Sequence, residues 1–134
     1  MTVTVRPFLM FQGGKAEEAI KFYTSVLPTA RIETIERYGE GGPGPAGTVR
    51  LATFSVGDQS VMCIDSPVAH AFTFTPAFSF FVTCQSEDDL RRFAAALGEG
   101  GGVLMPPGDY GFSRLFTWLN DRFGVSWQLN LPAR

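Results

Sequence analysis

The chain repeats itself. Shifted by seventy residues, FLMFQGGKAEEAIKFY overlies FSFFVTCQSEDDLRRF, so that Phe8 falls on Phe78, Ile20 on Leu90 and Tyr23 on Phe93. Self-similarity at one fixed offset marks a supersecondary unit used twice. The local patterns agree. Val3 to Phe11 reads as a strand ended by Gln12-Gly13-Gly14. KAEEAIKFYTSVL follows, with Ala16, Ala19, Ile20, Tyr23, Val26 and Leu27 at helical spacing, Glu17 and Glu18 opposing the helix dipole, and Pro28 as the stop. Ala30 to Tyr38 is a strand, Gly39 to Gly47 a glycine-rich loop, and Thr48 to Val56 and Ser60 to Asp65 are strands across a tight turn at Gly57-Asp58. After the aromatic loop SPVAHAFTFTP the pattern restarts. Phe78 to Cys84 is a strand. Ser86 and Asp89 form a capping-box pattern ahead of the stripe Leu90, Phe93, Ala94 and Leu97, and Gly98 ends that helix. Gly102 to Met105 is a short strand, MPPGDYGFS a loop, and Arg114 to Leu119 and Val125 to Leu131 close the series.

The order is strand, helix, three strands, twice over, in modules of about 3–65 and 77–131 within a single domain of 134 residues. This predicts an α+β fold. The last strand alternates cleanly. Val125, Trp127, Leu129 and Leu131 face one side, and Ser126, Gln128 and Asn130 face the other. A polar row with a large amide at its centre, behind a row that must be core, predicts a sheet with one face on a core and the other on a pocket. Asn120, Asp121 and Gly124 supply the turn chemistry of the final hairpin.

Composition excludes several classes. A net charge of −2 with no basic run gives no electrostatic footprint for nucleic acid. No stretch reaches the ~18 apolar residues of a membrane span. The first residues lack the pattern of a signal peptide, which makes the cytoplasm the expected compartment. Cys63 and Cys84 lie singly in apolar strands and read as buried thiols. The thirteen Phe are enough to fill a core and line a pocket as well.

The stretches FQGGKAEEAIKFY, RYGEGGPGPAG, FTFTPAFSFFV and the YGFS…W.NDRFGVSWQLN end, spanning Pro7 to Leu131, resemble the PhnB-like branch of the vicinal oxygen chelate superfamily. That superfamily includes glyoxalases, dioxygenases and bleomycin-resistance proteins. The branch carries a name borrowed from a demethylubiquinone methyltransferase. The resemblance implies two tandem βαβββ modules forming a curved mixed sheet around a cavity, with helices outside, and often a homodimer. It also implies a divalent metal held by His, Glu or Gln from inward positions on four strands. Carried over, those positions fall near Phe8, with Gln12 the nearest polar group, at Asp65, near Ser79 and on Gln128. An amide and one carboxylate do not make the three good donors that zinc needs, nor the two His and a carboxylate of non-haem iron. The expectation is therefore no metal and no cofactor. The methyltransferase label lacks a dinucleotide fingerprint or P-loop: GEGGG follows a helix, and GEGGPGPAG lies between strands.

The expected role is binding of an apolar or aromatic small molecule. Gln12, Asp65, Ser79 and Gln128 would orient its polar groups, and Phe8, Phe81 and Trp118 would wall it. Enzymatic action on a small carbonyl or hydroxylated compound stays open. Asp65 and His70, the single histidine, are the candidates for proton transfer. Each has a plainer reading as well: Asp65 as the cap of the Ser66-Pro67 turn, His70 as a loop residue bonded to backbone.

Overall fold

The computed structural model describes residues 2–134. The chain divides into two compact units, up to Ala71 and from Phe72 onward. Each holds a four-stranded mixed sheet and one helix, the α+β fold of tandem βαβββ modules that the repeat predicts.

The first unit runs β1 (Phe8–Phe11), α1 (Ala16–Val26), β2 (Arg31–Arg37), β3 (Val49–Val56) and β4 (Gln59–Asp65), with strand order β1-β4-β3-β2. β1 lies parallel to β4, and the other neighbours are antiparallel. Two successive glycines, Gly13 at φ +72° and Gly14 at φ +75°, turn the chain from β1 into α1. These left-handed angles cost a side chain roughly 1–2 kcal/mol that glycine avoids. Ala16, Ala19, Ile20 and Tyr23 are buried along one stripe of α1, and the Tyr23 ring lies 6.1 Å from that of Phe54 on β3. Leu9, Phe11, Ala52, Phe54, Val61 and Cys63 complete this core.

The second unit runs β5 (Ser79–Thr83), α2 (Glu87–Gly98), β6 (Gly102–Gly108), β7 (Leu115–Asn120) and β8 (Ser126–Leu131), in the order β5-β8-β7-β6. β5 again lies parallel to β8. The Ser86 hydroxyl caps α2 by accepting from the Asp89 amide at 3.1 Å. Leu90, Phe93 and Leu97 bury the stripe, and Trp127, fully buried, meets the Phe80 ring at 4.9 Å.

Two boundaries differ from those expected. β1 starts at Phe8, not Val3, and Val3 and Val5 are 83% and 81% exposed. Pro7 has no N–H to pair; its carbonyl accepts from Met62, and ladder pairing begins one residue later. β6 extends past Met105 through Pro106 and Pro107 to Gly108. It is an edge strand with irregular register, the position where a sheet tolerates proline. The Thr117 hydroxyl steadies it by donating to the Met105 carbonyl at 2.8 Å.

Asp121 holds the β7–β8 turn. Its Oδ1 accepts from the amides of Phe123 and Val125 at 2.8 and 3.1 Å, and its Oδ2 from the Trp127 indole at 2.9 Å. The carboxylate thus joins the turn to the largest core side chain.

Candidate functional site

Register places the side chains of the second sheet. Leu119 pairs with Trp127 and Thr117 with Leu129 on the face that carries the core. The opposite face carries three rows. Ser79, Ser126 and Asn120 make the first. Phe81, Gln128, Trp118 and Met105 make the second. Thr83, Asn130 and Phe116 make the third. Four residues expected at the site, Ser79, Phe81, Trp118 and Gln128, therefore meet on this face.

The polar groups here are oriented. Gln128 Nε2 donates to Ser79 Oγ at 2.7 Å, which orients the amide and leaves its Oε1 and second N–H for other partners. Trp118 Nε1 donates to Ser126 Oγ at 2.8 Å, fixing the indole beside the amide. Phe81 is 58% exposed, with its ring centroid 6.4 Å from that of Phe116. Phe112 and Tyr110 extend the aromatic surface, Phe112 meeting Phe116 edge-on at 4.9 Å. Tyr110, beside a glycine loop, reads in the sequence as a lid over a pocket or a surface aromatic; Phe112 was missed because its ring comes from the loop read as MPPGDYGFS. The signal available was the alternation Tyr110, Phe112, with Phe116 beyond it. The side-chain oxygens of Asn120 and Asn130 on the same face are buried, with no hydrogen-bond partner among the described residues.

The first unit assembles the other expected residues differently. Phe8 is 52% exposed on β1. Asp65 lies on the helix-bearing face, in the row of Phe11. Its Oδ1 accepts from the Ala16 amide at 2.8 Å and its Oδ2 from the Val49 amide at 2.9 Å, and the Tyr38 hydroxyl donates to its carbonyl at 3.2 Å. The carboxylate thus caps α1, where Lys15 provides no side-chain cap. Both oxygens thus hold backbone amides of the fold, and the amide after the Ser66-Pro67 turn, that of Val68, goes to the Ser66 hydroxyl instead of to Asp65. Gln12 Oε1 accepts from the His70 amide at 2.7 Å, and His70 Nε2 lies 3.1 Å from the Ser66 hydroxyl, which itself donates to the Val68 carbonyl. Gln12, Gly13, Gly14, Thr48, Asp65 and Ser66 line part of a cleft of about 490 Å³. Among the described residues, this cleft holds the one glycine pair, Gly13-Gly14, that joins a strand to a helix. The Asp65 carboxylate sits at that helix N-terminus, so a phosphate approaching it meets a like charge.

Both cysteines are buried, as expected. Burial pushes the Cys63 thiol up to about 12 and the Cys84 thiol up to about 11, with Asp65 and Asp89 adding to the respective shifts. Both remain neutral near pH 7 and are poor nucleophiles.

A family model described as 3-demethylubiquinone-9 3-methyltransferase matches residues 3–130. The chain belongs to this family. A PhnB protein from Bacillus cereus is 53% identical, with a TM-score of 0.91 over 96% of this chain and 99% of that one. Protein PA1353 from Pseudomonas aeruginosa is 29% identical, with a TM-score of 0.83 over 99% and 100%. A glyoxylase/bleomycin resistance protein/dioxygenase domain from Frankia shares the fold at 14% identity, with a TM-score of 0.67 over 98% of each chain. No curated protein matches.

The resemblance noted in the sequence implies a metal, and the residues present do not fit one. Gln128 and Ser79 are bonded to each other, and the Asp65 carboxylate is committed to two amides. Among the described residues no group of three or more His, Cys, Asp or Glu is placed to hold an ion. No catalytic step is therefore derived through a metal.

Proposed function

We propose that this protein is a metal-poor small-molecule-binding member of the PhnB-like family, acting as a cytoplasmic homodimer. The observation that carries the reading is the Gln128–Ser79 lock. It orients the Gln128 amide on the sheet face shared with Phe81, Trp118 and Phe116. An oriented polar group amid aromatic walls is the usual make-up of a ligand site. The exposed Phe78, Phe81 and Phe112 add apolar surface suited to a second subunit, which sedimentation would detect. A thermal-shift screen of apolar metabolites and antibiotics tests the binding. A hit whose shift disappears in Gln128→Ala supports it; a screen without hits refutes it. Calorimetric titration with Zn²⁺, Ni²⁺ and Mn²⁺ tests the metal, and stoichiometric tight binding would overturn the metal-poor reading.

A second reading, an enzyme acting on a small carbonyl or hydroxylated compound, draws on His70. Its ring nitrogen beside Ser66 and its amide on Gln12 place it at the border of the first-unit cleft. Turnover of a screened compound that is lost in His70→Ala would support this reading over simple binding.

A further inference from the structure

We propose that the first-unit cleft is a second binding site, and that it takes a small organic ammonium whose charge is set against Asp65. The site lies within the first unit and stands apart from the Gln128 face.

The cleft opens beyond Phe11 and Asp65, at the carboxyl ends of the paired parallel strands β1 and β4. That is the end of parallel strands at which open α/β sheets bind ligands. Its volume of about 490 Å³ suits a small molecule. Among the described residues that line it, Asp65 carries the one formal charge. This side chain is 3% exposed, and no ion pair among the described residues includes it. Its two oxygens accept only from uncharged donors, the Ala16 and Val49 amides. The basic residues nearest in sequence serve elsewhere, Lys15 at 4.0 Å from Glu18 and Arg50 at 3.4 Å from Glu36. A buried carboxylate is ordinarily accompanied by a cation. Each oxygen has taken one N–H and keeps a further lone pair.

The other lining groups favour the same guest. The Thr48 hydroxyl donates to the Pro45 carbonyl at 2.7 Å, and the Ser66 hydroxyl to the Val68 carbonyl at 2.7 Å. Both hydroxyl protons are spent on backbone, which leaves lone pairs on these oxygens for a guest. An anionic guest meets a like charge at Asp65 and no cationic side chain in the lining. An ammonium brings the missing charge and three donors. Pro45, Pro67, Val68 and Ala69 supply hydrocarbon, so the charged head is joined to a compact apolar body. A Cβ on Gly13 would meet nothing within 4 Å, so the turn from β1 into α1 leaves open space beside its backbone.

Nuclear magnetic resonance titrations of the full chain at pH 8 test this with three probes of one shape: cyclohexylmethylammonium, cyclohexylmethanol and cyclohexanecarboxylate. The ammonium should bind about tenfold tighter than the alcohol, the worth of one charge-assisted hydrogen bond, with the carboxylate weakest. Its shifts should centre on the amides of Gly13, Gly14, Val68 and Ala69 and leave that of Gln128 unmoved. Ala69 is an exposed lining residue, so its charge can be changed without disturbing the core. Ala69→Lys should weaken the ammonium by about threefold and Ala69→Glu tighten it by about the same factor, with the alcohol unchanged in both. Asp65→Asn should abolish the preference for ammonium over alcohol. Circular dichroism verifies that this variant folds, and the Ala69 pair decides the matter if it does not. No ammonium binding, an alcohol or carboxylate that binds as tightly, an affinity indifferent to the charge at position 69, or shifts centred elsewhere would each overturn the site. None of these results touches the Gln128 reading, which its own screen decides.

Discussion

Replacing Asp65 with alanine is the sharpest test of how the first unit is held. The side chain is 3% exposed, and its two oxygens satisfy the Ala16 and Val49 amides at 2.8 and 2.9 Å. One of these is an orphan donor at the start of α1, and the other opens β3. Leaving a buried donor unsatisfied costs about 1–3 kcal/mol, so the pair costs about 2–5 kcal/mol once some water entry is allowed for. Against a typical total of ~5–15 kcal/mol this is a large fraction. Urea denaturation followed by tryptophan fluorescence and circular dichroism should show a lower midpoint at nearly unchanged m-value. Asp65→Asn keeps one acceptor but turns an N–H against a backbone N–H, and should lose about half as much. Hydrogen exchange adds a local readout, with protection lost first at the Ala16 and Val49 amides. A loss below about 0.5 kcal/mol for Asp65→Ala would refute the anchoring role, because two buried amides cannot be abandoned so cheaply.

Other outcomes follow from the same geometry. A Cβ on Gly101 would collide with the Asn120 carbonyl oxygen, while one on Gly102 meets nothing within 4 Å. Gly101→Ala should therefore destabilise by more than about 2 kcal/mol in thermal or urea melts, and Gly102→Ala by less than about 1 kcal/mol. Hydrogen bonds from Arg37, then from Lys21, hold the Glu17 carboxyl below its ordinary 4.5. A lowered folded value means that its contribution is present above about pH 4.5 and is lost as pH falls through the folded value. Glu17→Gln should flatten that part of the stability–pH curve, and an unaltered curve would contradict the assignment. At pH 8 a disulfide reagent should leave Cys63 and Cys84 unlabelled in the native protein and label both in urea, since burial holds them well above their ordinary 9.0. Rapid native labelling would count against their burial.

Local periodicity by itself determined a good deal of this protein. The seventy-residue repeat, the stripes of α1 and α2, the Ser86 cap and the alternation Val125, Trp127, Leu129, Leu131 all express interactions between residues close in sequence. They sufficed for element order and fold class, and they placed Gln128 on the polar row beside the core row. Tertiary structure decided what depends on distant partners. That β1 lies against β4, fifty-four residues on at Phe8↔Met62, follows from chain topology and not from either strand's composition. The same pairing brings Asp65 to the Ala16 amide and makes a residue that reads as a ligand into a helix cap. The proline-bearing end of β6 joins the sheet because an edge strand needs only one bonded side. Ser79 and Gln128 become one oriented group only when β5 and β8 lie side by side, forty-nine residues apart in the chain. A pattern of spacings reports which face a side chain takes; only the assembled sheet selects its partner.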